Sequence, residues 1–356
     1  MTLRIVHVAS GREWRGGQRQ VWLLARALAK HEGVSQVVVT GRGSELARRL
    51  ANDRIPTRTP AWDGALDLRA LAATLRAADR SSILHAHDSH ALTLAGLASY
   101  VTGRFLVASR RVDVPVRRTG FWGRADRIIA VSEAVRRELV ASGTPAAKVT
   151  VVHSGIDLAD LARTVPYDAR PGLGLAPGTP LAITTGALVG VKNHTTLVRA
   201  AALASARRPD LHWAIAGEGH LRLKVESLIR ELGLQSRVHL LGHVPDGARL
   251  VAAADVFVMS SIQEGLGTSV LDAMALGIPV VGTAAGGIPE LLEGGAGRLV
   301  PPRDPSALAE AVLSLLEDPA ARTAQVGRAR EAVRQFSDER MAEGVLQVYR
   351  SLISAH

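Results

Sequence analysis

Short apolar runs recur along the chain and alternate with longer stretches whose apolar positions fall at helical spacing. In the first half the runs occupy residues 3–9, 37–40, a segment opening at Ser82, 105–109, 125–131 and 149–153. Helical spacing predicts helices over 19–30, where Val21, Leu24 and Leu28 share a face, and over 44–52, 65–78 and 133–141. In the second half strands are predicted near 181–186, 211–216, 238–241, 255–259, 279–282 and 297–300. Helices are predicted between them near 194–206, 219–232, 247–253, 269–276 and 305–317, then over 319–335 and 338–354. Runs this short and this apolar suit strands buried on both faces of a parallel sheet.

Strand and helix alternate in both halves, which predicts an α/β fold. Between the halves, residues 166–180 carry Pro166, Pro171, Gly172, Gly174, Pro177, Gly178 and Pro180, a concentration of breakers that reads as a linker. A chain of 356 residues is also long for one core. The expectation is two Rossmann-like, doubly wound domains facing an interdomain cleft, over 1–165 and 181–335.

The densest chemistry lies in residues 255–290. An apolar run, Val256 to Met259, leads into a turn carrying Glu264, Gly265 and Gly267. A helix is predicted from Thr268 or Ser269 to Gly277-Ile278-Pro279, and a second strand follows at Val280-Val281. Such a loop suits a diphosphate: glycines let backbone approach it, and the first helical N–H groups point at it. Glu264 and Asp272 flank the seat and suit sugar or ribose hydroxyls rather than phosphate. For Asp272 alone, a capping box from Ser269 is an equal alternative.

Other polar clusters end strands, where α/β ligand sites form. Gly16-Gly17 follows the first strand but does not complete GxGxxG. The segment His85-Ala86-His87-Asp88-Ser89-His90 contains ligand types at spacing a metal could use, and a structural role for His85 competes with that. Arg110 and Arg111 open a basic run through Asp113, Pro115, Arg117 and Arg118 that could receive phosphate or anionic lipid, or simply be a solvated loop. Gly186 and Lys192 leave the first strand of the second half, and Lys192 is one of only four lysines. Gly217-Glu218-Gly219 and His243 follow the next two strands; Arg222 prevents a GxGxxG there.

Composition narrows the classes. Apolar residues make up 47% and aromatics 3%, so the cores are aliphatic. No apolar run approaches the roughly 20 residues that span a bilayer, and the amino terminus reads as a first strand rather than a signal peptide. The absence of cysteine excludes disulfides and thiolate metal sites. Residues 1–165 hold 25 of the 43 Lys and Arg but 14 of the 33 Asp and Glu. That half therefore suits an anionic partner or membrane surface. Coding bias accounts for Arg outnumbering Lys 39 to 4, though less well for the asymmetry. No nucleic-acid recognition motif is present, and few aromatics are available to stack bases.

Glu264-Gly265-Leu266-Gly267, Asp272, then Ala273-x-Ala275-x-Gly277-x-Pro279-Val280 is similar to the signature of the retaining GT-B glycosyltransferases of family 4. That signature has two glutamates separated by seven residues; here the second is Asp272. His153-Ser154-Gly155-Ile156-Asp157 resembles the family's Asn-Gly-Val-Asp turn, and Ala187 stands where the family has an arginine. The resemblance implies transfer of a sugar from a nucleotide-diphosphate donor to a glycan or glycolipid hydroxyl, with no metal and no other cofactor. It implies that His87, Lys192 and Glu264 contact the transition state. Gly16, Gly17, Gly186, Gly217, Glu218, His243, Gly265, Leu266, Gly267, Thr268, Ser269 and Asp272 would bind donor. Arg110 or Arg111 would stand in for the arginine missing at Ala187, and the helix in 336–356 would cross back to the first domain. A cytoplasmic enzyme of cell-envelope polysaccharide or lipopolysaccharide synthesis is expected, peripheral on the inner face of the membrane. A GT-B epimerase or hydrolase, an inverting transferase, and a non-enzymatic binder of anionic polymers stand as alternatives.

Overall fold

A computed structural model describes residues 2–112 and 120–354. The chain forms two compact units, one of 1–156 with 336–356 and one of 157–335.

The first unit is built on β1 (Leu3–Ala9), β2 (Val34–Thr40), β3 (Thr57–Arg58), β4 (Ser82–Ala86), β5 (Leu106–Arg110), β6 (Arg127–Ala130) and β7 (Val149–Val151). These strands pair in parallel in the order β3-β2-β1-β4-β5-β6-β7. The sheet is covered on both faces, which is why its strands read as continuous apolar runs. Leu23, Leu24 and Leu28 of helix Gly16–Leu28 pack with Ile5, Ile83 and Val107 and with Val345, Tyr349 and Leu352 of helix Asp338–Ile353. Each fully buried leucine contributes about 1.5–3 kcal/mol. On the same side of helix Gly16–Leu28, Val21 packs into a second cluster with Val38, Leu46 and Leu50.

The second unit is built on β8 (Leu181–Thr185), β9 (His212–Ala216), β10 (Val238–Gly242), β11 (Val256–Met259), β12 (Val280–Thr283) and β13 (Arg298–Val300). The order is β10-β9-β8-β11-β12-β13, all parallel. Helices His194–Ser205, Arg222–Glu231 and Pro305–Glu317 close a core around Trp213, Ile215 and Val258.

Beyond short elements the sequence reading lacks, such as helices Leu158–Ala162 and Ile288–Leu292, three local features differ from it in ways that bear on the sites. The first helix starts at Gly16, not near Arg19, so both glycines lie in its first turn rather than in a loop. There the N–H groups have no helical partner anyway, and an early glycine costs little cooperativity. A helix over Ser89–Thr102 was not expected; Asp88 caps its start and Gly103, left-handed at φ 68°, ends it. The breaker-rich segment read as a linker belongs to the second unit. The buried Arg170 donates to Thr179 O at 2.7 Å, Asp168 at 2.9 Å, Ala253 O at 3.0 Å and Asp255 at 2.6 Å. Among the described residues, no helix is long and apolar enough to cross a membrane.

Candidate functional site

In the second sheet, sequential strands run one way from β8 to β10 and the other way from β11 to β13, so the order reverses between β8 and β11. Loops leaving two such strands diverge and open a crevice at their carboxyl ends. Residues 186–193 and 260–267 are those loops. They are fastened together: Ile262 N–H donates to Val191 O at 2.8 Å, and Ser260 Oγ donates to Lys192 O at 2.9 Å. A turn over Gly190–Lys192 ends at Asn193, a left-handed residue (φ 49°) from which helix His194–Ser205 departs.

This places Lys192 against Glu264. Lys192 Nζ donates to Glu264 Oε2, and Ser261 Oγ donates to the same oxygen at 3.2 Å. The two charged side chains are 21% and 16% exposed, so they sit at a mouth rather than in a sealed core. His194 beneath Lys192 is held neutral: burial first, then the lysine charge, lowers it to about 4.

Glycine makes the approach possible. Gly217 has φ +150°, and a Cβ on it would fall 1.9 Å from Gly186 O, so these two loops touch backbone to backbone. The methylenes of Lys192 lie over Gly186 at 3.5 Å and beyond from where a Cβ would sit. On the other side, helix Thr268–Leu276 starts from Gly267 at φ 101° with no side-chain cap. Its first bonds back, from Val270 and Leu271, both reach Gly267 O. Because Gly267 precedes the helix, Ser269 is its second residue and Asp272 its fifth; the capping box is excluded. Asp272 is instead 8% exposed, and Leu266, at 2%, is in the core and can offer a ligand only backbone.

Gly186, Lys192, Gly217, Glu264 and the helix start therefore come together, with Gly265 and Ser269 in the same turn. Glu218 is half exposed and pairs with Arg222 at 2.6 Å. His243 lines a pocket of about 460 Å³ with Tyr167, Leu173, Val244 and Arg249, and Gly242 before it accepts Gly217 N–H at 2.7 Å.

The first sheet reverses between β1 and β4. Asp88, just beyond β4, accepts Ser10 N–H at 2.7 Å, Ser10 Oγ–H at 2.5 Å and Ala91 N–H at 2.9 Å. It is a structural cap, not a metal ligand. His85 pairs in register with His7, and His87 Nε2 lies 2.9 Å from His7 Nδ1. Arg111 Nη2 donates to His87 Nδ1 at 3.1 Å. A guanidinium only donates, so His87 carries its proton on Nε2 and gives it to His7 Nδ1. His7 in turn carries its proton on Nε2, a buried nitrogen with no hydrogen-bond partner, and the neighbouring Gln36, whose Nε2 donates to Ala25 O at 2.6 Å, has its oxygen buried without a partner as well. His85 Nδ1 lies 2.6 Å from Tyr349 Oη and Nε2 lies 2.8 Å from Ser109 Oγ. Burial lowers His7 to about 4 and pushes His85 and His87 well down, with neighbouring positive groups adding to the last two. Arg111 is itself lowered to about 10 by burial, against the opposing charge of Asp88.

The ligand atoms of His7, His85 and His87 lie within 4.8 Å of one another, the cluster best placed to hold a metal among the described residues. The proton arrangement works against it. Arg111 takes the Nδ1 lone pair of His87, so Nε2 faces His7 as a donor with no lone pair for an ion. Arg110 is buried with its guanidinium 5.3 Å from the Trp122 ring. Asp113, Pro115, Arg117 and Arg118 lie outside the described residues.

Ser260, Ser261, His7 and Gln36 escaped the sequence reading. Nothing local marks them: Ser260 and His7 act through Lys192 and His87, distant in sequence, Gln36 through Ala25 on the neighbouring helix, and Ser261 through Glu264 only because the loop folds back on itself.

Each of the two parallel sheets reverses beside a polar loop, the place where α/β proteins form ligand sites. The chain belongs to the glycosyl transferases group 1 family, whose model matches residues 168–332, while the Glycosyltransferase Family 4 model matches residues 14–160. It is similar to the D-inositol 3-phosphate glycosyltransferase of Pseudarthrobacter chlorophenolicus, 34% identical over 65% of this chain and 57% of that one. It is also similar to the lipopolysaccharide core biosynthesis glycosyltransferase LpsE of Rhizobium meliloti, 34% identical over 53% of this chain and 55% of that one. The chain thus spans little more than half the length of either relative. The Anabaena protein HepE, solved with UDP and glucose, shares the fold with a TM-score of 0.84 at 21% identity, over 98% of this chain and all of that one. The fold is GT-B in class, two Rossmann-like doubly wound units.

Proposed function

We propose that this chain is a retaining glycosyltransferase that moves a sugar from a nucleotide-diphosphate donor to a hydroxyl of a glycan or glycolipid in cell-envelope synthesis. The observation that carries it is the Lys192–Glu264 pair at the strand reversal beside the Gly267 helix start. A cation and aligned N–H groups suit the charge that grows on a departing diphosphate. A carboxylate one ion pair away suits sugar hydroxyls. Lys192 and the amides of 266–269 take the diphosphate, Glu264 the sugar and Asp272 the ribose. The family resemblance assigns His87, held neutral and fixed in one tautomer, to contact with the donor sugar. No side chain is assigned as nucleophile; the departing phosphate oxygen accepts the acceptor's proton on the face it leaves. The names of the relatives, one acting in lipopolysaccharide core synthesis, support a glycolipid acceptor. The basic first half suits an anionic one.

Thermal-shift titration with UDP, GDP and ADP sugars is expected to give stabilisation by one base class. NMR of the transfer product is expected to show the donor's anomeric configuration. An inverted product overturns retention, and stabilisation by no sugar nucleotide overturns the donor class.

A further inference from the structure

His87 has both ring nitrogens committed within the first unit. Nε2–H goes to His7, and the Nδ1 lone pair accepts from Arg111 at 3.1 Å. The residue is only 5% exposed, so a sugar touching it meets ring carbon or backbone. What the histidine stack holds ready is one fixed lone pair, and Arg111 sits on it.

Arg111 follows β5 directly and His87 follows β4, and the two strands are neighbours, so both residues stand where strands of the first sheet end. Among the described residues, the hydrogen bond of this guanidinium goes to a neutral ring, and no carboxylate lies within ion-pair distance of it. Its Nε is buried with no hydrogen-bond partner. Asp88, whose charge acts on it, spends both carboxylate oxygens on Ser10 and Ala91. Burial lowers Arg111 to about 10, which leaves it a cation at neutral pH. An enclosed guanidinium with no acid on it is unfavourable until an anion completes it. The residue is part-exposed rather than sealed, and its planar fork of five donors fits phosphate or carboxylate.

We propose that Arg111 binds an anionic oxygen group, phosphate or carboxylate, carried by the acceptor, and that His87 is the positioning residue that aims it. This rests on the transferase reading above and adds the acceptor's chemistry: a phosphorylated or acidic glycan or glycolipid.

Thermal-shift titration at constant ionic strength tests it with three probes of similar size: glycerol 3-phosphate, glycerate and glycerol. Wild type is expected to be stabilised saturably by one or both acids, which names the acid group, and not by glycerol. Arg111→Gln is expected to bind the effective acid about tenfold more weakly, the scale of one charge-assisted contact. His87→Leu is expected to weaken it several-fold although the arginine stays. His87→Asn, whose amide oxygen stands in for the Nδ1 acceptor, is expected to restore most of it. Stabilisation by neither acid, or wild-type affinity in folded Arg111→Gln, overturns the inference. Where that variant does not fold, undiminished binding by Arg111→Lys, which loses the fork, overturns it equally. Full binding by His87→Leu removes His87 from the positioning role. Repeating the titration on Lys192→Ala removes the second unit's cation; binding lost there and kept in Arg111→Gln overturns the inference too. No arm uses a sugar nucleotide, so failure of the donor reading shows separately.

Discussion

Lys192 and Glu264 illustrate how two residues in contact can have separable duties. The lysine is a compact cation on a flexible stem, suited to follow a phosphate. The glutamate is anchored by Ser261 and suited to read a fixed set of hydroxyls. Lys192→Ala is therefore expected to weaken nucleoside diphosphate binding by about tenfold, the scale of one charge-assisted contact. Glu264→Ala is expected to abolish transfer without loss of fold. Equal diphosphate affinity in wild type and Lys192→Ala would remove the lysine from the site, and full activity in Glu264→Ala would remove the glutamate. At this scale the sequence reading named both residues, because a glycine-rich turn after an apolar run marks a strand end. It did not pair them, because 72 residues separate the lysine from the glutamate, and it did not see Ser260, whose partner carbonyl is 68 residues away, or Ser261, whose bond to Glu264 depends on how the loop turns.

Elements position these residues, and their ends decide how well. Helix Ser89–Thr102 is fixed at its start by Asp88, which also accepts two bonds from Ser10 and so ties the loop after β1 to the loop after β4. Asp88→Ala is expected to cost ~1–2 kcal/mol in urea unfolding, with Asp88→Asn closer to wild type because an amide oxygen still caps. An alanine variant as stable as wild type would show that the cap is idle. The sequence reading missed this helix for a physical reason. His90-Ala91-Leu92-Thr93-Leu94-Ala95-Gly96-Leu97-Ala98 is apolar nearly all round, so it lacks the polar face that betrays a surface helix. By contrast the strands of the second half were legible to within a residue or so, since each is an aliphatic run bounded by glycine, proline or charge. The start of the first helix was misplaced because Gly16-Gly17 reads as a loop from propensity alone, whereas packing of Val21, Leu24 and Leu28 holds the turn before it. Asp272 shows the same limit from the other side. A capping box could be dismissed only once Gly267 was seen to precede the helix.

Over the whole molecule, buried neutral histidines make stability depend on pH. His7, His85 and His87 lie in the first unit's core, His194 in the second. All have folded-state pKa values below the ordinary 6.5, with His7 and His194 lowered to about 4, chiefly by burial. The unfolded chain therefore takes up protons first as pH falls. Stability from this source is complete above 6.5 and declines as pH drops from 6.5 toward 4, where the folded forms of His7 and His194 begin to protonate. At pH 5 the loss is about 2 kcal/mol per fully buried histidine. Calorimetry is expected to show a clear fall in unfolding temperature between pH 7.5 and 5, before most carboxylates titrate, with the first unit leading because its three rings are all buried together, whereas His212 and His239 of the second, also lowered by burial, are less enclosed. Replacing His194 with Gln is expected to shrink only the second unit's share. A flat profile across that range would mean that the rings are not neutral in the fold. It would also undo the proton arrangement that fixes His87 between Arg111 and His7, since a protonated His87 could not accept from a guanidinium.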